Sequence, residues 1–140
     1  MMNIHTTCIA VNGQGVLLFG APGSGKSDLA LRMIMHNAAV LVADDRTDIE
    51  VREGHVIASS PKSISGMLEV RGVGICKFPH QPFCEVKLAV ELVKSWSAVE
   101  RLPAAQTYDI GGVKIPLLRL FPFEASAPDK IVIKLDSALD

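Results

Sequence analysis

The stretch that most constrains this chain is residues 15 to 27, Gly-Val-Leu-Leu-Phe-Gly-Ala-Pro-Gly-Ser-Gly-Lys-Ser. Val16 to Phe19 reads as an apolar strand that runs straight into a G-x-x-x-x-G-K-S turn, Gly20 to Ser27. Ala21, Pro22, Gly23 and Ser24 fill the space between Gly20 and Gly25. Glycines let the backbone curl until several N–H groups point at one centre, where they can cradle polyphosphate oxygens. A helix opening near Lys26 aims its positive end at the same place. Lys26 adds a full charge for the outer phosphates, and the Ser27 hydroxyl suits Mg²⁺. The strand before and the helix after are the context this motif requires, so Gly20 to Ser27 are candidate nucleotide-binding residues. The pattern predicts a nucleoside triphosphate site and is silent on what the phosphate is used for.

The rest of the composition narrows the setting. A chain of 140 residues reads as a single domain, 1–140. The net charge of −1, with Lys and Arg spread along the chain, gives no electrostatic case for nucleic acid or an anionic membrane. No apolar run approaches a membrane span, and Met-Met-Asn-Ile-His lacks the basic start and apolar core of a secretion signal. The expected location is the cytoplasm. Cys8, Cys76 and Cys84 form no metal-ligand pattern, and their odd number argues against a complete disulfide framework. They read as small packing residues.

Taken in order, Ile4 to Val11 reads as a strand, and Asn12-Gly13 as a hairpin turn that pairs it antiparallel with Val16–Phe19. His5, on the far half of that strand, reads by itself as a surface or partly buried histidine. Ser27 to about His36 places Leu29, Ala30, Met33 and Ile34 on one helical face, with Asn37 as the stop. Val40 to Ala43 is a short apolar strand closed by Asp44-Asp45. A strand ending in Asp after a phosphate loop fits a Walker-B arrangement, in which a carboxylate serves Mg²⁺. A second, adjacent carboxylate can take a proton from a hydroxyl nucleophile.

Further on, Asp48–Arg52 and His55–Ala58 form a second expected hairpin around Gly54. Residues 67 to 77, Met-Leu-Glu-Val-Arg-Gly-Val-Gly-Ile-Cys-Lys, read as one bulged strand with a Glu69–Arg71 ion pair. Glu85–Val93 reads as a strand, with a helix from Ala89 to Lys94 as the other option. Gln106–Ile110 and Val113–Leu118 flank the turn Gly111-Gly112, and Lys130–Leu135 reads as a last alternating strand. Only the segment after the phosphate loop reads firmly as a helix. The expected fold is therefore α/β with a mixed, hairpin-rich sheet, not the alternating strand and helix of a parallel sheet.

Together these stretches resemble the catalytic domain of HPr kinase/phosphorylase, a bacterial serine kinase acting on a small phosphocarrier protein. The matching residues are His5, Gly20–Ser27, Asp44-Asp45 in Leu-Val-Ala-Asp-Asp-Arg, Leu68-Glu69-Val70-Arg71-Gly72-Val73-Gly74-Ile75, and Arg101 in Val-Glu-Arg-Leu. The Leu68–Ile75 segment is the family's signature and is far more specific than the phosphate loop. The resemblance implies a fold like that of phosphoenolpyruvate carboxykinase, with ATP and Mg²⁺ as cofactors and an HPr-like phosphocarrier as partner. It implies Ser27, Glu69 and Asp45 as metal ligands and Lys26 as the residue holding the transferring phosphoryl group. One of Asp44 and Asp45, with Asp45 favoured, would be the base that deprotonates the target serine. His5, Arg71 and Arg101 are implied as further catalytic residues, and Leu68–Lys77 as a segment needed in both directions of the reaction. Two neighbouring carboxylates raise one another's proton affinity, which suits a base that must release its proton again.

Family members carry an N-terminal domain and C-terminal helices beyond the matching stretch, so the expectation is a short form of the catalytic domain, with homo-oligomer formation left open. The family's phosphorylase loop, Pro-Val-x-x-Gly-Arg, aligns with Pro116–Phe121, which lacks the Gly-Arg pair. Phosphorylation is therefore expected over phosphorolysis. Two other functions fit less of the sequence. An ATP-sensing module without transfer would not need the paired acids, and a small-molecule kinase would show more strand–helix alternation and an arginine-rich lid.

Overall fold

The computed structural model describes residues 1–137. Eleven strands and two α-helices follow in order, with two short 3₁₀ turns between them. They are β1 Met2–Ile4, β2 Thr7–Val11, β3 Gln14–Phe19, α1 Lys26–His36, β4 Val40–Ala43, β5 Thr47–Arg52, β6 His55–Ser59, β7 Met67–Val70, β8 Gly74–Lys77, β9 Phe83–Leu92, β10 Gln106–Ile110, β11 Val113–Leu120 and α2 Ala127–Asp136. Nine strands form one mixed sheet in the order β1-β5-β6-β9-β3-β2-β4, and β11, paired with β10, also joins β9. This is the mixed α/β arrangement expected from the hairpin signals. Asn12-Gly13 and Gly111-Gly112 both adopt positive φ at both positions, as a two-residue hairpin turn requires.

The sheet topology creates the site. β2 runs antiparallel to both β3 and β4, so β3 and β4 end at the same edge. β9 is parallel to β3, and β11 is parallel to β9, so both end there too. The start of β2, the loop after β3, the acids after β4 and the segment after β11 therefore meet along one edge.

The central strands are buried on both faces, and their alternation sorts the core into two layers. Ile9, Val16, Leu18, Leu41 and Val90 pack under Leu29 and Met33 of α1 and Ile131 and Leu135 of α2. Cys8, Ala10, Leu17 and Ala89 point the other way, against Ile49, Val56, Ala58, Ile110 and Ile115. The sheet thus curls over its own second face, and helices cover only the first. At Gly15 a side chain would begin 2.6 Å from Cys84 Sγ and 2.7 Å from the Glu85 carbonyl oxygen, so glycine is what allows β9 to close on β3 there. The Cys8 and Cys84 thiols lie 3.7 Å apart, buried and free, as packing residues. The hydrogen bond to Cys84 and burial hold the Cys8 thiol well above its ordinary pKa.

Four features depart from the sequence reading. The first strand is broken at His5-Thr6, so β1 pairs with β5 while β2 pairs with β3. Residues 67–77 are a separate two-stranded hairpin, β7–β8, with Arg71 in its turn, and among the described residues Glu69 and Arg71 form no ion pair. Pro116 to Leu120 lies inside β11, so the stretch aligned with the phosphorylase loop is strand, and the chain leaves the sheet only at Phe121. Lys130–Leu135 belongs to a helix, α2. Ala127, Ile131 and Leu135 recur every four residues on its buried face, whereas Ile133, which a strand would bury beside them, is 64% exposed. A second helix thus packs beside α1. No helix among the described residues is long and apolar enough to cross a membrane.

Candidate active site

β3 delivers the chain to the phosphate loop, and the loop's shape depends on its glycines. Gly23 and Gly25 have φ of +78° and +102°, in the left-handed region that a side chain disfavours. At Gly20 a methyl group would sit 2.3 Å from Ser24 Oγ. Ser24 Oγ is itself buried and has no partner among the described residues. The first amides of α1 have no intrahelical acceptor and face the same hollow.

Lys26 is 9% exposed and donates from Nζ to the Gly20 carbonyl at 2.7 Å. Among the described residues no carboxylate lies within ion-pair range of it. Buried charges are ordinarily paired. A buried cation whose one partner is a neutral carbonyl fits an anion arriving from outside the chain.

Asp44, after β4, is the polar hub of the site. Its Oδ1 accepts from Ser27 Oγ at 2.7 Å and from Thr7 Oγ1 at 2.9 Å, and its Oδ2 accepts from the Glu69 amide at 3.1 Å. One buried carboxylate therefore ties the phosphate-loop helix, the start of β2 and the β7–β8 hairpin together. Asp45 has φ +66°, and this left-handed turn sends its side chain outward, 68% exposed. Its Oδ1 lies 3.8 Å from His5 Nδ1, too long for a hydrogen bond.

A cavity of about 670 Å³ joins these parts. Its walls include Pro22 to Ser27, Asp44, Asp45, Glu69, Arg71 and Phe123. Glu69 and Lys26 thus face one hollow. Of the predicted site residues, the structure brings together the loop, both aspartates, Glu69 and Arg71, with His5 at the rim through Asp45. Arg101 is exposed in the segment between β9 and β10 and is not in the cavity wall. Ser27 is bonded to Asp44, not to Asp45, the aspartate expected beside the metal. Thr7 and Phe123 were not singled out by sequence. Thr7 carries no motif, and Phe123 sits in a proline-punctuated loop whose return to the phosphate loop only the topology reveals.

The residues present suit Mg²⁺ of the kind bound mainly by phosphate and water. That ion needs only one or two protein carboxylates, and among the described residues no group of three or more His, Cys, Asp or Glu forms a complete cage.

Comparison with known proteins agrees with this architecture. The family model described as HPr Serine kinase C-terminal domain matches residues 1–134. HPr kinase/phosphorylase of Clostridium tetani is 39% identical over 110 residues, covering 79% of this chain and 36% of that protein. The HPr kinase/phosphorylase of Lactobacillus acidophilus is 30% identical, covering 95% of this chain and 44% of its own length. The chain thus spans less than half the length of these relatives. The structure of the Hpr(Ser) kinase/phosphatase from Coxiella burnetii superposes with a TM-score of 0.82 at 25% identity, covering 98% of this chain and 95% of that one. With its mixed, curled sheet and a match that runs through nearly all of its residues, the chain belongs to the HPr serine kinase C-terminal domain family.

Proposed function

We propose that this chain is an ATP- and Mg²⁺-dependent protein-serine kinase domain whose substrate is an HPr-like phosphocarrier protein. The observation that carries the reading is the meeting of the phosphate loop, the paired aspartates and the Glu69–Arg71 hairpin around one cavity. A site built only to sense a nucleotide has no use for an exposed carboxylate beside the phosphate cup.

In this reading the loop amides and Lys26 hold the triphosphate, with Lys26 exchanging the Gly20 carbonyl for a phosphate oxygen. Ser27, Asp44 and Glu69 would hold Mg²⁺, which supplies neutralisation of the phosphate charge when bound. Asp45 accepts the proton of the target serine as the serine oxygen bonds to the terminal phosphorus and the bond to the leaving diphosphate oxygen breaks. His5 stands behind Asp45 at the rim of the site. Arg71, in the turn of the hairpin, meets the charge that spreads over the transferring group. Phosphoryl transfer is mostly positioning and charge stabilisation, so these placements supply most of the effect. A base in hydrogen-bond reach adds about 10²–10⁴-fold.

The test uses radiolabelled ATP and an HPr-like carrier with its target serine intact or changed to alanine. Label on the intact carrier alone supports the kinase. ATP binding without transfer supports the sensing module. Release of pyrophosphate when the phosphorylated carrier meets inorganic phosphate would show that phosphorolysis also operates without the Gly-Arg pair.

A further inference from the structure

We propose that Phe123 is the platform on which the base of a bound nucleoside triphosphate stacks. This rests on the nucleotide reading above and extends it to the part of the ligand that the phosphate loop does not recognise.

Phe123 is the one aromatic side chain in the cavity wall among the described residues, and it is 60% exposed. Its ring stands directly against the phosphate loop. A side chain at Gly25 would begin 3.0 Å from its Cζ and 3.1 Å from its Cε1. The ring is also held in place. Phe121 meets it edge-on, with centroids 5.8 Å apart and planes at 79°. Arg32 of α1 donates to the carbonyl of the neighbouring Pro122, and Lys130 of α2 pairs with Glu124. The segment after β11 is therefore tied to both helices, and an exposed apolar ring is carried on a fixed support.

The polar map of the cavity explains why the ring faces it. Asp44, with its bonds to Ser27 and the Glu69 amide, defines an acidic, metal-suited end. The terminal phosphate belongs there, and Lys26 and the loop amides take the chain of phosphates. The lining also offers apolar surface, the ring of Phe123 against Gly25 together with Leu31 and Val70, and Asp28 in the same lining is paired with Arg32. A nucleoside base is the part of the ligand that matches such a surface, because every base has a π-face to stack.

The test compares equilibrium binding of ATP and of inorganic tripolyphosphate to the full chain and to Phe123→Ala and Phe123→Tyr. Tripolyphosphate offers the loop the same run of three phosphates and no base. Loss of a stacked aromatic weakens base binding by about tenfold or more. Phe123→Ala is expected to weaken ATP by that factor and leave tripolyphosphate within about twofold, and Phe123→Tyr to keep ATP near the native value. Unchanged ATP affinity in Phe123→Ala would overturn the proposal. So would equal weakening of both ligands, which would assign the ring to shaping the loop through Gly25. If the native chain bound neither ligand, the nucleotide reading itself would fall. Native binding of tripolyphosphate with an unaffected ATP affinity in Phe123→Ala would remove only the stacking role.

Discussion

Replacing Asp44 by alanine separates the structural aspartate from its neighbour. Three donors converge on Asp44: the hydroxyls of Thr7 and Ser27 and the Glu69 amide. Thr7 is fully buried and Asp44 nearly so. Bonds to a charged acceptor contribute about 1.5–3 kcal/mol each, and stranding a buried donor costs about 1–3 kcal/mol. Not all of this is lost. Ser27 and the Glu69 amide are only partly buried and can bond water instead, whereas the Thr7 hydroxyl keeps the bond it accepts from the Asp45 amide but loses the acceptor of its own hydrogen. The net loss should be about 3 kcal/mol, most of it from Thr7 and the hairpin's anchor. For a domain of this size that lowers Tm by about 10 °C. Asp44→Asn should fall between, because three donors surround a side chain that would now carry an NH₂ of its own.

Asp45 is the control. Its carboxylate is 68% exposed and 3.8 Å from His5, so Asp45→Ala removes one weak contact and leaves the left-handed backbone in place. Its effect on stability should stay within about 1 kcal/mol. Thermal and urea unfolding without nucleotide or Mg²⁺ measure both variants, so that ligand stabilisation does not enter. The reasoning fails if Asp44→Ala unfolds within about 2 °C of the native chain, or if Asp45→Ala loses as much.

Asp45→Asn should bind ATP with near-native affinity and lose label transfer to the carrier by about 10²-fold or more, measured by titration and by the radiolabel assay. Lys26→Met should leave stability equal or slightly higher without nucleotide, since it removes a buried cation that lacks a carboxylate, while ATP binding is lost in the same titration. Ile131→Ala should lose about 2–4 kcal/mol in urea unfolding and Ile133→Ala less than about 0.5, the contrast expected of a helix and not of an alternating strand. Cys76, half-buried, should react with a thiol reagent in the folded chain, whereas Cys8 and Cys84 should react only on unfolding. In the folded chain the raised pKa of Cys8 keeps its thiol neutral, so raising pH to about 9 should not open a reaction there without unfolding.

The phosphate loop and its flanks were legible because their signal is local. A glycine that must be left-handed, a lysine and a serine at fixed spacing, and a strand and a helix on either side all lie within one short stretch. The hairpin turns at Asn12-Gly13 and Gly111-Gly112 were legible for the same reason. The final helix was not, because Ile131 and Leu135 share a face in either a strand or a helix. Only Ile133 distinguishes the two, and its exposure is a tertiary fact. The 67–77 segment was misread because its glycines admit both a bulge and a turn. The choice fell to the turn at Arg71-Gly72, which folds β8 back on β7 and leaves Glu69 beside Asp44.

The division of labour between the two aspartates shows where sequence reasoning stops. Side by side at the end of a strand, they are chemically equivalent on paper, and either could serve a metal or a proton. Successive residues on a strand point to opposite sides, so the pair cannot face one partner in the same way. Which of them turns inward depends on what lies across from it. That is Thr7, brought there by the pairing of β2 with β4, and Ser27, brought there by the helix that follows β3. Both are long-range consequences of strand order. Once Asp44 is fixed by three donors, the left-handed φ of Asp45 releases the second carboxylate into the cavity near His5. The oxygens of Asp44 are occupied by three donors, whereas those of Asp45 are open to an incoming hydroxyl. In the proposed reaction the accessible carboxylate, Asp45, is the base, and the separate loss of stability and of transfer in the two variants is the measurement that decides it.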